Sequence, residues 1–181
     1  MSRFTIESNA TAFSVEFTDK QMQSTVQKML ISNFLDEYNK RNRTKMTVYN
    51  VFNIRVDGEL MPQSTKAVLE YPLRTLAMNG GETRVTIDLV ESAHVSVSCG
   101  ETYSSVDLEA KFLKSTVMDA IVSPFLTHYN QQNGTKKTKS ALKGLVFDGE
   151  TPMEKLSTVT SMKMHAVIND PKHTEIRILL D

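Results

Sequence analysis

The 181-residue chain contains one cysteine, Cys99. A single thiol cannot close an internal disulfide, which excludes a disulfide-stapled scaffold and fits a reducing, cytoplasmic setting. Charge of one sign is also missing in excess: Lys plus Arg number 21 and Asp plus Glu number 21, a formal net charge of zero. Nucleic-acid binders usually carry a marked basic surplus, so no nucleic-acid partner is expected. No apolar run approaches the roughly 18 residues of a membrane span, and no membrane partner is expected. The opening residues lack the charged n-region and long apolar stretch of a secretory signal. Without such a signal, the sequons at Asn9 and Asn133 are patterns only. Gly, Pro and Ser form no spacer-like or low-complexity stretch.

Catalytic signatures are equally scarce. No GxxxxGK or GxGxxG motif occurs. His94, His128, His165 and His173 show no metal-like pairing, so no metal or cofactor is expected. Cys99 has His94 five residues away, but a nucleophilic thiol needs a depressed pKa, and an inert thiol is the simpler reading. The chain is read as a non-enzyme. Met22, Met29, Met162 and Met164 read as core or rim fillers.

What the sequence does contain is a repeat. Displaced by 91 residues, Ser24-Thr25-Val26 falls on Ser115-Thr116-Val117, Phe34-Leu35 on Phe125-Leu126, and Tyr38-Asn39 on Tyr129-Asn130. Thr44-Lys45 falls on Thr135-Lys136, and Asp57-Gly58-Glu59 on Asp148-Gly149-Glu150. Of 90 aligned pairs, 23 are identical, where unrelated segments would give roughly 5 or 6. The chain divides into units at 1–91 and 92–181, with almost no linker between them and mechanical coupling expected. The charge balance holds within each unit to about one charge.

Each unit opens with two alternating runs around a polar turn, Phe4/Ile6 then Phe13/Val15/Phe17, and Val95/Val97 then Val106/Leu108, which predicts a hairpin with one buried face. Val26, Leu30, Phe34 and Tyr38, echoed by Val117, Ile121, Phe125 and Tyr129, predict a helix of about 20 residues with a buried stripe. Thr18 and Asp19 are candidate N-caps, and Asn42 and Gly134 candidate exits. Ser123-Pro124 predicts a kink or restart. A strand then runs into an Asp-Gly turn, the dipeptide best suited to a tight hairpin, and an irregular stretch leads to a closing strand. Gly80-Gly81 reads as a turn.

This order resembles the ubiquitin-like β-grasp fold. Leu145-Val146-Phe147-Asp148-Gly149 is similar to ubiquitin's Leu-Ile-Phe-Ala-Gly, and Glu175-Ile176-Arg177-Ile178-Leu179 to its closing strand. The fold class implied is α+β: two tandem β-grasp domains, each a mixed sheet packed on one long helix. Conjugated members of the family end in a Gly-Gly tail. These residues end in a predicted strand, so a conjugated modifier is not expected. The resemblance implies recognition through the outer sheet face, with the central position at Arg55 in unit one and Val146 in unit two. The closing-strand positions are Thr86 and Asp88, then Arg177 and Leu179. Arg55, Val146, Arg177 and Leu179 are therefore the candidate protein-binding residues, with Val146 and Leu179 an exposed apolar pair. The other reading makes this face the contact between the two units. With Val146 exposed, Val146→Asp would abolish binding and leave the thermal midpoint nearly unchanged.

Basic residues cluster after each helix: Lys40, Arg41, Arg43 and Lys45, then Lys136, Lys137, Lys139 and Lys143. They read either as solvated loops or as a patch for an acidic surface. An adaptor for another protein is the first functional reading. A cytoskeletal polymer bound through the basic loops, as in the doublecortin-like domains of microtubule-associated proteins, is the alternative. A third reading makes the chain the N-terminal segment of a larger structural protein or the whole of a small one.

Overall fold

The computed structural model describes residues 1–77 and 81–181, which form two compact units, Met1–Glu91 and Ser92–Asp181. In the first, strands β1 (Ser2–Ser8) and β2 (Thr11–Phe17) form the expected hairpin around Asn9 and Ala10. A helix follows over Gln27–Ile31 and α1 (Ser32–Asn42). Then come β3 (Val51–Val56), the short β4 (Glu59–Leu60), α2 (Thr65–Glu70) and β5 (Glu82–Leu89). The sheet order is β2-β1-β5-β3-β4, with β1 and β5 parallel and the other pairs antiparallel. The sheet is mixed because the helix carries the chain from the edge hairpin across to the far strands, and β5 then returns beside β1.

The second unit repeats this order with β6 (Ser92–Cys99), β7 (Thr102–Glu109), a single turn α3 (Ala110–Leu113), and the helix Met118–Val122 running into α4 (Ser123–Asn133). Strand β8 (Leu142–Phe147), α5 (Leu156–Ser161), α6 (Met164–Val167) and β9 (Thr174–Leu180) complete it. Its sheet runs β7-β6-β9-β8, with β6 and β9 parallel. The counterpart of β4 is reduced to one bridge, Phe147 to Glu150. The chain is thus α+β with two mixed sheets, the ubiquitin-like arrangement. The stretch read from sequence as irregular carries α2 in one unit and α5 and α6 in the other.

The helices are shorter than expected, and their first turns are π-helical, with the Ser32 and Ser123 amides donating five residues back to the Gln27 and Met118 carbonyls. The stripe spacing explains this. Four residues exceed the α-helical period of 3.6, so a pure α-helix would swing Tyr38 about 120° away from Val26. A wider π turn absorbs that drift. Val26, Leu30 and Phe34 are fully buried and Tyr38 nearly so, whereas Tyr129 in the second copy is half-buried. Pro124 is not the cause of the irregularity, because the first unit has the same π turn with Asn33 in its place. The second helix does not restart at Pro124, since Val122 and Ser123 keep right-handed helical angles.

The helices begin on Thr25 and Thr116, whose Oγ1 atoms accept from the Lys28 and Asp119 amides at 3.2 and 3.1 Å. Thr18, by contrast, caps the short 3-10 turn Gln21–Gln23 by exchanging hydrogen bonds with Gln21. Asp19 caps neither. At the other end Arg43 and Gly134 adopt the left-handed conformation, at φ 54° and 62°, one residue beyond Asn42 in the first case. The two Asp-Gly turns have positive φ at both positions, as a tight hairpin requires.

Most repeated identities are architectural. Asn39 Oδ1 accepts from the Thr44 hydroxyl (2.8 Å) and the Met46 amide (2.7 Å), and its Nδ2 donates to the Met46 carbonyl (2.8 Å). Asn130 does the same with Thr135 and Lys137 at 2.7, 2.7 and 2.8 Å. Asn42 and Asn133 tie the helix end to the hairpin through Thr11 and Thr102. Ser24-Thr25-Val26 bridges to Pro72, and Ser115-Thr116-Val117 to Lys163, fastening the helix start to the segment before the last strand.

Candidate functional site

Side chains alternate across each strand, so odd positions of β1 and even positions of β6 face away from the helix. On that outer face the two units differ. The centre of the first is occupied by paired polar groups, while Glu16 and Arg84 on the same face are exposed. Arg55 donates to Asp88 at 3.1 Å and Asn53 donates to the same carboxylate at 2.8 Å. Thr86 donates to Glu7 at 3.2 Å, Thr5 donates to Glu82 and shares a hydrogen bond with Ser14, and Arg3 lies 3.6 Å from Glu82. Arg55 is therefore held within its own sheet rather than offered outward.

The outer face of the second sheet holds a depression of about 330 Å³ lined by Ser96, Ser98, Tyr103, Val146, Glu175 and Arg177 among others. The hairpin sets Tyr103 opposite Ser98, the parallel pairing sets Ser98 opposite Arg177, and the antiparallel pairing sets Val146 opposite Arg177. Ser96 and Tyr103 hydroxyls are hydrogen-bonded at 3.1 Å. Arg177 and the Ser98 hydroxyl have no hydrogen bond or ion pair among the described residues, whereas Glu175 is met by His173 at 3.3 Å and Asp107 by His94 at 2.8 Å. Leu179 and Tyr103 stand out of the face, 42% and 59% exposed.

Of the four residues chosen from sequence, the fold brings Val146, Arg177 and Leu179 together and leaves Arg55 on the other sheet. The exposure assigned to Val146 is corrected: it is 5% exposed, because it lies low in the face among the longer side chains that line the same depression. Val146→Asp would bury a charge and so is no clean test of binding. Tyr103, Ser96 and Ser98 were missed. The signal for Tyr103 was present, because a two-residue turn at Gly100-Glu101 fixes the hairpin register and pairs it with Ser98.

Not all of the basic residues lie on loops: Lys40 and Arg41 belong to the last turn of α1 and Lys143 to β8. Arg43, Lys45, Lys136 and Lys137 lie on the loops that the Asn39 and Asn130 side chains hold, and Lys139 on the short 3-10 turn that follows. Only Lys45 and Lys136 occupy matching positions in the repeat. Lys137 donates to the Asp181 carbonyl, Lys143 meets the Asp181 carboxylate at 3.0 Å, and Arg41 pairs with Glu37. Lys40, Arg43, Lys45, Lys136 and Lys139 are exposed. Cys99 faces the opposite side of β6 from His94, since an odd number of residues separates them. Burial pushes its thiol pKa up, outweighing a hydrogen bond with the Leu180 backbone and the charge of Lys137. No trio of His, Cys, Asp or Glu that could hold a metal ion occurs among the described residues. No helix among them is long and apolar enough to cross a membrane. Gly80, half of the expected Gly80-Gly81 turn, lies outside the described residues.

No protein-family model matches the chain, and no curated protein matches it. Solved structures similar to it include a ubiquitin-like protein from Trypanosoma brucei, 13% identical with a TM-score of 0.37, covering 51% of this chain and 99% of that one. Another is an Arabidopsis thaliana protein, 15% identical with a TM-score of 0.32, covering 51% and 89%. The description of the fold as ubiquitin-like rests on the strand order and pairing within each sheet.

Proposed function

We propose that the chain is a non-enzymatic docking module of two tandem ubiquitin-like units that recognises another protein through the outer face of its second sheet. One observation carries this reading: among the described residues Arg177 has no partner and stands beside exposed Leu179 and Tyr103, while the matching central positions of the first face, Arg55, Thr86 and Asp88, are tied within their own sheet by an ion pair and hydrogen bonds. An unpaired guanidinium next to an aromatic and an aliphatic side chain is the composition of an interface anchor. The raised thiol pKa of Cys99 weighs against a nucleophile there.

The test compares the wild-type chain with Leu179→Asp, Arg177→Glu and the first-unit control Arg84→Glu in capture of binding partners at physiological salt. The two second-unit variants should lose the captured protein with unchanged circular dichroism, and the control should retain it. Equal capture by all four would refute the assignment. Microtubule pelleting that persists in Leu179→Asp and disappears at high salt would instead place the activity on the basic loops.

A further inference from the structure

The two units carry the same register on their outer faces, so each can be compared position by position. The first unit places four carboxylates there, and three of them, Glu7, Glu82 and Asp88, have donors from their own sheet. Glu7 lies opposite Thr86 in the parallel β1–β5 pair and accepts its hydroxyl at 3.2 Å. In the second unit the positions matching those three are Ser98, His173 and Leu179, so these carboxylates are gone, while Asp107 keeps the fourth and Glu175 stands where Arg84 does. The donors remain. Ser96 stands where Thr5 does, and Arg177, opposite Ser98, stands where Thr86 does.

What the second unit has in place of the Glu7 side chain is space. The depression of about 330 Å³ is lined by Arg177, Ser96, Ser98 and Tyr103, each of which carries a donor, together with Val146. Its wall also carries one carboxylate, Glu175, which His173 meets at 3.3 Å. We infer that this depression is a receptor for a carboxylate, supplied by an aspartate or glutamate side chain of the partner protein, which takes the place that Glu7 fills in the first unit. A guanidinium beside hydroxyl donors matches a carboxylate in charge and hydrogen-bond polarity. Val146 in the wall gives the methylenes of the entering side chain an apolar surface, and Leu179 is exposed two residues beyond Arg177 on the same face. The inference rests on the docking reading above and names the chemistry that the face selects.

The experiment is an amide-resolved NMR titration of the whole chain with N-acetyl-glutamate, with N-acetyl-glutamine and inorganic phosphate as comparison probes. N-acetyl-glutamate should shift the amides of Ser96, Ser98, Tyr103 and Arg177 saturably, with Kd on the order of millimolar for so small a ligand. N-acetyl-glutamine should not. Arg177→Gln should weaken the binding at least tenfold. Ser98→Glu, which restores the residue type of the first unit, should abolish it while leaving the chain folded. Binding that survives both substitutions would overturn the inference, as would equal shifts with N-acetyl-glutamine. Saturable shifts with phosphate alone would overturn it in favour of a phosphate ligand. If N-acetyl-glutamate fails to bind while Leu179→Asp still loses the captured partner, the carboxylate inference falls and the docking reading stands. If neither variant nor probe has any effect, both fall.

Discussion

Replacing Asn130 by alanine tests whether the repeated identities hold the fold. Its side chain accepts from the Thr135 hydroxyl and the Lys137 amide, both at 2.7 Å, and donates to the Lys137 carbonyl at 2.8 Å. The residue is half-buried, so water recovers part of what is lost. Three hydrogen bonds at about 1 kcal/mol each, discounted for that exposure, give a loss of about 2 kcal/mol. With a urea m-value of about 2 kcal/mol/M, the midpoint for the second unit should fall by about 1 M. The assay is urea unfolding followed by circular dichroism, joined to amide hydrogen exchange at Thr135 and Lys137. Exchange at both amides should accelerate by about tenfold or more. Asn130→Asp keeps the oxygen that accepts both bonds but turns a second carboxylate oxygen toward the Lys137 carbonyl, and should lose part of the stability. A loss below about 0.5 kcal/mol, with exchange at Lys137 unchanged, would refute the idea that this side chain holds the loop.

Three further substitutions read the same structure. Arg43 occupies a left-handed position that Gly134 fills in the second unit, so Arg43→Gly should stabilise by about 0.5–1 kcal/mol and Gly134→Ala destabilise by about 1 kcal/mol in thermal unfolding. The Ser8 hydroxyl is buried without a hydrogen-bond partner, and the repeat places Cys99 at the same position. Ser8→Ala should therefore raise stability by about 1 kcal/mol, and a fall in the midpoint would contradict that. Because burial raises the Cys99 pKa in the folded chain, the unfolded chain loses its thiol proton first as pH climbs. Stability should then decline above the ordinary thiol pKa, Cys99→Ala should lack that decline, and labelling of Cys99 by a disulfide reagent should be slower than labelling of free cysteine.

Legibility from sequence followed the range of the interactions. The hairpins, the Asp-Gly turns and the buried stripe depend on neighbours a few residues away, and their residues showed them. The stripe even carried the sign of its own irregularity, since its strict four-residue spacing is too long for an α-helix. The repeat could be counted but not interpreted. Asn39 and Asn130 have polar side chains like any loop residue, and only coordinates show them turned onto Thr44, Met46, Thr135 and Lys137. The outer faces were the least legible part. Arg55 is engaged by Asp88, 33 residues further on and one strand away, and the pairing has a bulge between Phe52 and Arg55 that no alternation pattern reveals. Val146 was assigned to the correct face and the wrong depth, because depth depends on side chains contributed by β6, β7 and β9.

The central claim is that the second outer face receives a partner and the first does not. Site-specific photo-crosslinking tests it directly, with benzoylphenylalanine introduced at Ser105 on β7 or at its counterpart Ser14 on β2. Ser105 lies on the same outer face as Tyr103, and Ser14 sits within the hydrogen-bonded first face. Adducts should form from Ser105, disappear when Arg177→Glu is added, and be absent from Ser14. Adducts from Ser14 equal to those from Ser105, or adducts indifferent to Arg177→Glu, would contradict the account.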